Sequence, residues 1–318
     1  MAVSSKHILQ QGPVLGGFGR LALAALRRRP SGGGGAFTAP GPELFAEFAP
    51  RPRALVKDYV RHVGGDPRAY RDHLPAHLFP QWCFGLAART LEGLPYNIAK
   101  VMNGGCRYHV KQPLPVDERL NVRVRLESVD ANDRRVLIQQ RVVTGTKSAP
   151  DALIADLFVI IPQPRKPGGA RGKKERPRVP DGARELAYWK IRADAGLDFA
   201  KLTGDFNPIH WIGPYARISG FKNTILHGFA TMARTVEGLH RAHAGASSVV
   251  TFECRFTRPL VLPARTGLYA DDDRGVFVGD AAGGPAYLVG SYAMSHDEPG
   301  AAAAWGETNP DSSATGEG

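Results

Sequence analysis

The chain has 318 residues, 43% hydrophobic and 22% charged, with three cysteines and a net charge of +11. That composition excludes a wholly disordered chain, a coiled coil and a collagen. Three cysteines without a CxxC pair exclude a disulfide framework and favour a reducing, cytoplasmic setting, while the excess of 41 Lys+Arg over 30 Asp+Glu suits a phosphate-bearing partner.

Residues 1–41 are broken by Gly and Pro runs, Gly32 to Gly35 among them, and read as a flexible N-terminal extension. The apolar stretch before Arg27, Arg28 and Arg29 is shorter than the about 20 residues a membrane span needs. Its charges follow the apolar run, which argues against a secretory signal. As a short basic amphipathic helix it offers at most a weak membrane-surface contact. Residues 163–180 lie in a Pro/Gly-rich run that, from Pro162 to Pro180, holds seven basic residues and one acid. This is a basic linker. The tail, 297–318, has the Gly/Ala/Ser/Asp/Glu bias of a disordered segment.

Two blocks remain, 42–162 and 181–296, and they repeat one plan. Ala88-Arg89-Thr90-Leu91-Glu92-Gly93-Leu94 matches Ala233-Arg234-Thr235-Val236-Glu237-Gly238-Leu239 in six of seven positions. Cys106-Arg107-Tyr108 echoes Cys254-Arg255-Phe256. Upstream, Asp58-Tyr59-Val60 and Asp66-Pro67 stand where Asp198-Phe199-Ala200 and Asn207-Pro208 stand in the second copy. In the first block the periodicity predicts a strand over Leu44–Phe48, helices over Leu55–Gly64 and Pro80–Leu94, and four alternating strands. In the second it predicts a strand over Tyr188–Arg192, helices over Asp194–Gly204 and Ile225–His243, and four more strands. One long helix against an antiparallel sheet is an α+β plan. GxGxxG after a strand, GxSxG and GxxxxGK[ST] are all missing, which removes Rossmann, serine-hydrolase and P-loop readings.

The segment Thr203-Gly204-Asp205-Phe206-Asn207-Pro208-Ile209-His210 puts a carboxylate and an imidazole on one turn. Gly204 stops a helix and Pro208 stiffens the bend. A histidine titrating near neutrality beside a carboxylate suits acid/base work on a shared water. His227-Gly228-Phe229 opens the long second helix, whose N-terminal N–H groups suit a developing oxyanion.

TGDxNPxH followed some twenty residues later by HG resembles the MaoC-like hydratases/dehydratases, the (R)-specific enoyl-CoA hydratases of the hot-dog fold. The resemblance covers most of 183–296; with the internal repeat it implies a double hot-dog, 42–162 being a degenerate N-terminal unit and 181–296 the catalytic one. It implies reversible hydration of trans-2-enoyl thioesters to (3R)-hydroxyacyl thioesters, a hydro-lyase activity. Asp205 and His210 would be the acid/base pair, the Gly228 N–H the oxyanion donor, and Asn207, His227, Phe229 and Thr231 substrate contacts. No metal or cofactor is implied. The partner is a thioester of coenzyme A or of acyl carrier protein, not nucleic acid. One chain supplies both hot-dogs of a minimal pair, so a monomer or a homodimer is expected. The alternatives are an acyl-thioester binding or scaffold protein without turnover, and an acyl-CoA thioesterase. The first unit has Gly64 and Ala69 at the acid/base positions and Cys83 opposite Gly228, so one active site per chain is expected.

Overall fold

The computed structural model describes residues 3–12, 37–163, 176–243, 248–295 and 297. In the first unit β1 (Leu44–Phe48), α1 (Arg53–His62) and α2 (Pro80–Thr90) precede β2 (Met102–Val110), β3 (Leu120–Ala131), β4 (Arg135–Gly145) and β5 (Leu153–Pro162). The second has β6 (Arg184–Ile191), α3 (Ala195–Thr203), α4 (Gly213–Ile218) and α5 (Gly228–Ala242). It ends with β7 (Val249–Phe256), β8 (Ala264–Ala270), β9 (Gly275–Gly279) and β10 (Ala286–Met294).

All strands join one ten-stranded antiparallel sheet, in the order β1-β3-β4-β5-β2-β7-β10-β9-β8-β6. Read outward from its centre, each half has the same order, so the fold is a double hot-dog. The halves meet where β2 pairs with β7, placing Cys106 opposite Cys254 and Tyr108 opposite Phe252. The Tyr108 and Phe252 rings stack at 5.8 Å, and one apolar core runs through both units. The cysteines are buried, and burial pushes the Cys83 and Cys106 thiols up, away from the reactive thiolate.

Strand alternation does the local work. Along β4, Val136, Ile138, Gln140, Val142 and Thr144 face inward while their neighbours face out. The two polar members of that row are bonded to α2: Gln140 Nε2 donates to the Ala87 carbonyl at 2.6 Å and Trp82 Nε1 to Thr144 Oγ1 at 3.0 Å. In α5, Phe229, Met232, Ala233, Val236 and Leu239 form the buried stripe. A Cβ on Gly238 would lie 2.4 Å from Leu268 Cδ2, so this glycine lets helix and sheet close up.

Three sequence expectations shift. Part of the 1–41 extension is built into the fold. Ser5–Gln11 forms a 3₁₀ turn with His7 and Gln11 buried. His7 Nε2 meets Asp58 Oδ2 at 2.9 Å, and Gln11 Nε2 donates to the Leu202 carbonyl at 3.0 Å. Side-chain polar bonds hold this segment, so it carries no apolar period to read. The end of the expected linker belongs to the second unit: Val179 is buried and exchanges backbone bonds with Gly283 and Gly284 at 2.9 Å. Helix α2 stops at Thr90, four residues short of the expected Leu94, because Gly93 takes φ +92°. The Arg27–Arg29 stretch, 164–175 and 298–318 lie outside the described residues. Among the described residues, no helix is long and apolar enough to cross a membrane.

Candidate active site

Helix α3 ends at Gly204, φ +83°, whose N–H closes on the Ala200 carbonyl at 2.8 Å. The chain then bends. Asp205 Oδ1 accepts the Asn207 N–H, and Asn207 Oδ1 in turn accepts the Ile209 N–H, capping the 3₁₀ turn Pro208–His210. A Cβ on Gly196 would fall 2.1 Å from the His210 carbonyl oxygen, so this glycine permits the turn to lie directly on α3.

His210 is 8% exposed, and its Nδ1–H donates to the Ile225 carbonyl at 2.8 Å. That bond fixes the tautomer and leaves Nε2 as the basic atom. Burial holds its pKa below the ordinary 6.5, against the opposing pull of Asp205, which favours the neutral imidazole. Burial raises the Asp205 carboxyl above its ordinary 3.8, against the pull of His210. The Asp205 side chain is 20% exposed, so this carboxyl is the group through which the site meets solvent.

The turn and the tip of α5 are fastened together. His227, the residue before α5, donates from Nε2 to the Asp205 carbonyl at 2.9 Å, and its ring stacks on His210 at 3.6 Å between centroids. Burial, with His210 alongside, keeps His227 neutral, its pKa well below 6.5. Polar atoms of Asp205, His210 and His227 lie within 4.8 Å of one another. A single water bonded to two groups at about 2.8 Å each spans about 4.6 Å. A metal fits less well. The two rings are 24° from parallel, so their nitrogen lone pairs lie in nearly parallel planes and do not converge as tetrahedral zinc requires.

Gly228 begins α5, and a Cβ there would lie 2.7 Å from the Phe256 ring. The first helical bonds run from the Ala230 and Thr231 N–H groups to the His227 carbonyl. Among the described residues no hydrogen bond engages the N–H of Gly228 or Phe229, leaving donors and a positive dipole end at the tip. Phe229 sits amid aromatic rings, 5.3 Å from Phe84 and 5.8 Å from Phe256. It borders a narrow apolar crevice between the units, lined also by Tyr59, Leu78, Phe84 and Phe199 and too tight to admit a water. Asp205, His210, His227, Gly228 and Phe229 thus come together. Asn207 acts as a cap, and the buried Thr231 hydroxyl bonds back to the His227 carbonyl.

Sequence reading missed a buried polar chain across the unit interface. Tyr59 OH meets His77 Nδ1 at 3.0 Å, His77 Nε2 meets Glu237 Oε1 at 3.0 Å, and His240 stands 3.8 Å from Glu237 Oε2. Tyr70 OH lies 3.3 Å from His240 Nδ1. Burial alone would push Glu237 up, but hydrogen bonds from His240 and His77 carry it down to about 2. The only available signal was the shared glutamate of the two Ala-Arg-Thr copies.

The sequence profile of the MaoC like domain matches residues 178–271, which hold the whole turn and helix tip. Over 174 residues the chain is 29% identical to 3-hydroxyacyl-thioester dehydratase X of Mycobacterium tuberculosis, covering 52% of this chain and 59% of that one. Over 199 residues it is 23% identical to a probable enoyl-CoA hydratase 2 of Dictyostelium discoideum, covering 59% and 66%. The matched stretches thus span under two thirds of either relative. The crystal structure of HtdX from Mycobacterium tuberculosis superposes with a TM-score of 0.63 at 22% identity, over 79% of this chain and 99% of that one. A Mycobacterium tuberculosis protein described as a double hotdog superposes at 0.51 and 14% identity, over 82% and 99%. These likenesses show the fold, and the stretch similar to the MaoC like domain lies in its second unit.

Proposed function

We propose that the chain catalyses reversible hydration of a trans-2-enoyl thioester to the (3R)-hydroxyacyl thioester at the Asp205–His210–Gly228 site. The similarity of 178–271 to the MaoC like domain and the two named relatives support hydro-lyase chemistry on acyl thioesters. The observation that carries the residue roles is the locked His210: Nδ1 is spent on the Ile225 carbonyl, with Asp205 within 4.8 Å.

In the forward direction a water held by the Asp205 carboxylate and His210 Nε2 loses a proton to this pair as its oxygen bonds to C3. The C2=C3 electron pair moves toward C1, and negative charge gathers on the thioester oxygen. The Gly228 N–H at the tip of α5 receives that charge. A proton from the same pair then goes to C2, so one H and one OH have been added and the pair is restored. Dehydration runs the same steps in reverse. Neutral His210 and His227 suit this cycle, because a buried imidazolium would already hold the proton that the water must give up. The acyl chain enters at the apolar crevice beside Phe229, which widens to take it, and the carrier is coenzyme A or acyl carrier protein.

The test is turnover of crotonyl-CoA and longer enoyl-CoA substrates by Asp205→Asn and His210→Gln, with the product's hand determined. A fall of about 10²–10⁴ in kcat/KM is expected for each, with a (3R) product from the wild-type chain. Equal turnover before and after both substitutions overturns the assignment.

A further inference from the structure

The first unit carries a cavity of about 450 Å³ along the outer face of α1, apart from the apolar crevice at Phe229. Five cations line it: Arg53, Lys57, Arg61, Arg68 and Arg71, all exposed. The lining carboxylate is Asp66, and its Oδ1 is occupied by the Arg68 N–H, capping the 3₁₀ turn Pro67–Tyr70. Arg53 braces the rim, bonding to Asp117 and, at 2.7 Å, to the Arg71 carbonyl. Arg61 stands 3.8 Å from Asp58. Among the described residues no ion pair engages Lys57, Arg68 or Arg71. The floor is apolar, made by Val56, Val60 and Val116.

The internal repeat gives this charge its meaning. Matching Asp58-Tyr59-Val60 to Asp198-Phe199-Ala200 and Asp66-Pro67 to Asn207-Pro208 sets the five cations opposite Ala193, Leu197, Lys201, Ile209 and Ile212. Five positive positions in the first unit correspond to one in the second. The excess is therefore no requirement of the shared fold. Like charges gathered around one concavity repel one another and favour an anion that neutralises several at once. Guanidinium forks suit phosphate oxygens, and a floor of valines suits an uncharged body between or beside them.

We infer that this cavity is a binding site for a small molecule bearing at least two phosphate groups. It is built on the turn that corresponds to the acid/base turn of the second unit. Two sources carry that chemistry, a free phosphorylated metabolite or the phosphorylated nucleoside end of a thioester carrier, and one experiment separates them. Binding of inorganic pyrophosphate and of adenosine 3′,5′-bisphosphate to the full chain is measured at low salt by calorimetry. The same titrations use a variant with Lys57→Gln, Arg68→Gln and Arg71→Gln. These exposed substitutions leave the thermal midpoint in place, and a control variant with Arg217→Gln and Lys222→Gln removes second-unit charge of the same sign that does not line the cavity.

Saturable binding by the wild type and the control, weakened at least tenfold in the triple variant, is the expected result. No saturable binding to the wild type, or equal weakening in the control, overturns the site. KM values then name the source. A rise for enoyl-CoA without a rise for the phosphate-free enoyl N-acetylcysteamine thioester marks the carrier; no change in either marks a free ligand. The binding measurement does not depend on turnover, so failure of the hydratase assignment and failure of this site are separate results.

Discussion

The two copies of Ala-Arg-Thr-x-Glu-Gly-Leu share six residues and almost no roles. In the first unit the helix ends at Thr90, Gly93 takes a left-handed conformation, and Glu92 is exposed. In the second, α5 runs on to Ala242 through Gly238, which is pressed against Leu268. Glu237 is then 4% exposed and bonded to His77 of the other unit. Arg89 faces solvent, whereas Arg234 donates to the His62 carbonyl at 2.7 Å, and burial lowers its pKa to about 10. The repeat preserves where a helix meets a sheet; the neighbours that arrive from elsewhere decide what each letter does. The turns differ in the same way: one kept an imidazole and a carboxylate, the other gathered cations.

The sharpest break in the comparison is chemical. Asp205→Asn or His210→Gln should cost about 10²–10⁴ in rate, while Asp66→Asn, on the corresponding turn of the first unit, should leave kcat within twofold in the same assay. Gly228→Ala comes next. A methyl there meets the Phe256 ring at 2.7 Å and shifts the helix tip, so kcat should fall about 10²-fold, the scale of one lost oxyanion donor. Cys83→Ala, at the matching place in the first unit, should leave kcat unchanged in steady-state measurements.

Glu237→Gln removes the charge from a buried network and should destabilise the fold by about 2–4 kcal/mol. Glu92→Gln, the same letter of the repeat, should stay within about 0.5 kcal/mol. Urea unfolding of both variants reads the difference directly.

The smallest effect is the pH dependence. Burial, reinforced by Arg234, lowers His62 to about 3, and burial also lowers His210 and His227. The unfolded chain takes up these protons near pH 6.5, so the stability is fully present above that pH and is lost as pH falls from 6.5 toward 3. Glu237, brought from 4.5 to about 2, adds in the same direction: its contribution is present above pH 4.5 and is lost as pH falls through 2. The urea midpoint should be lower at pH 5 than at pH 7.5, and His62→Leu should flatten that slope. A midpoint that rises on acidification would contradict both signs.

Much of this protein was legible locally. Alternation located the strands, β1 over Leu44–Phe48 among them, and glycine and proline marked the Gly204–Pro208 bend. The repeat announced two units, and the turn motif named Asp205 and His210. Gly196 escaped notice, because its importance comes from the His210 carbonyl 2.1 Å from its missing Cβ. So did the docking of Ser5–Gln11, which rests on bonds reaching 190 and 191 residues along the chain.

What the amino-acid order fixed by itself was everything governed by short-range rules: hydrophobic period, helix stops, turn chemistry and duplicated letters. Folding decided the rest. It pinned the His210 tautomer on Ile225, stacked that ring on His227 and joined His77 to Glu237 across 160 residues. Such outcomes depend on distances between groups remote in sequence, and on the burial that makes an unpaired polar atom costly; neither quantity exists until the sheet has closed around both helices.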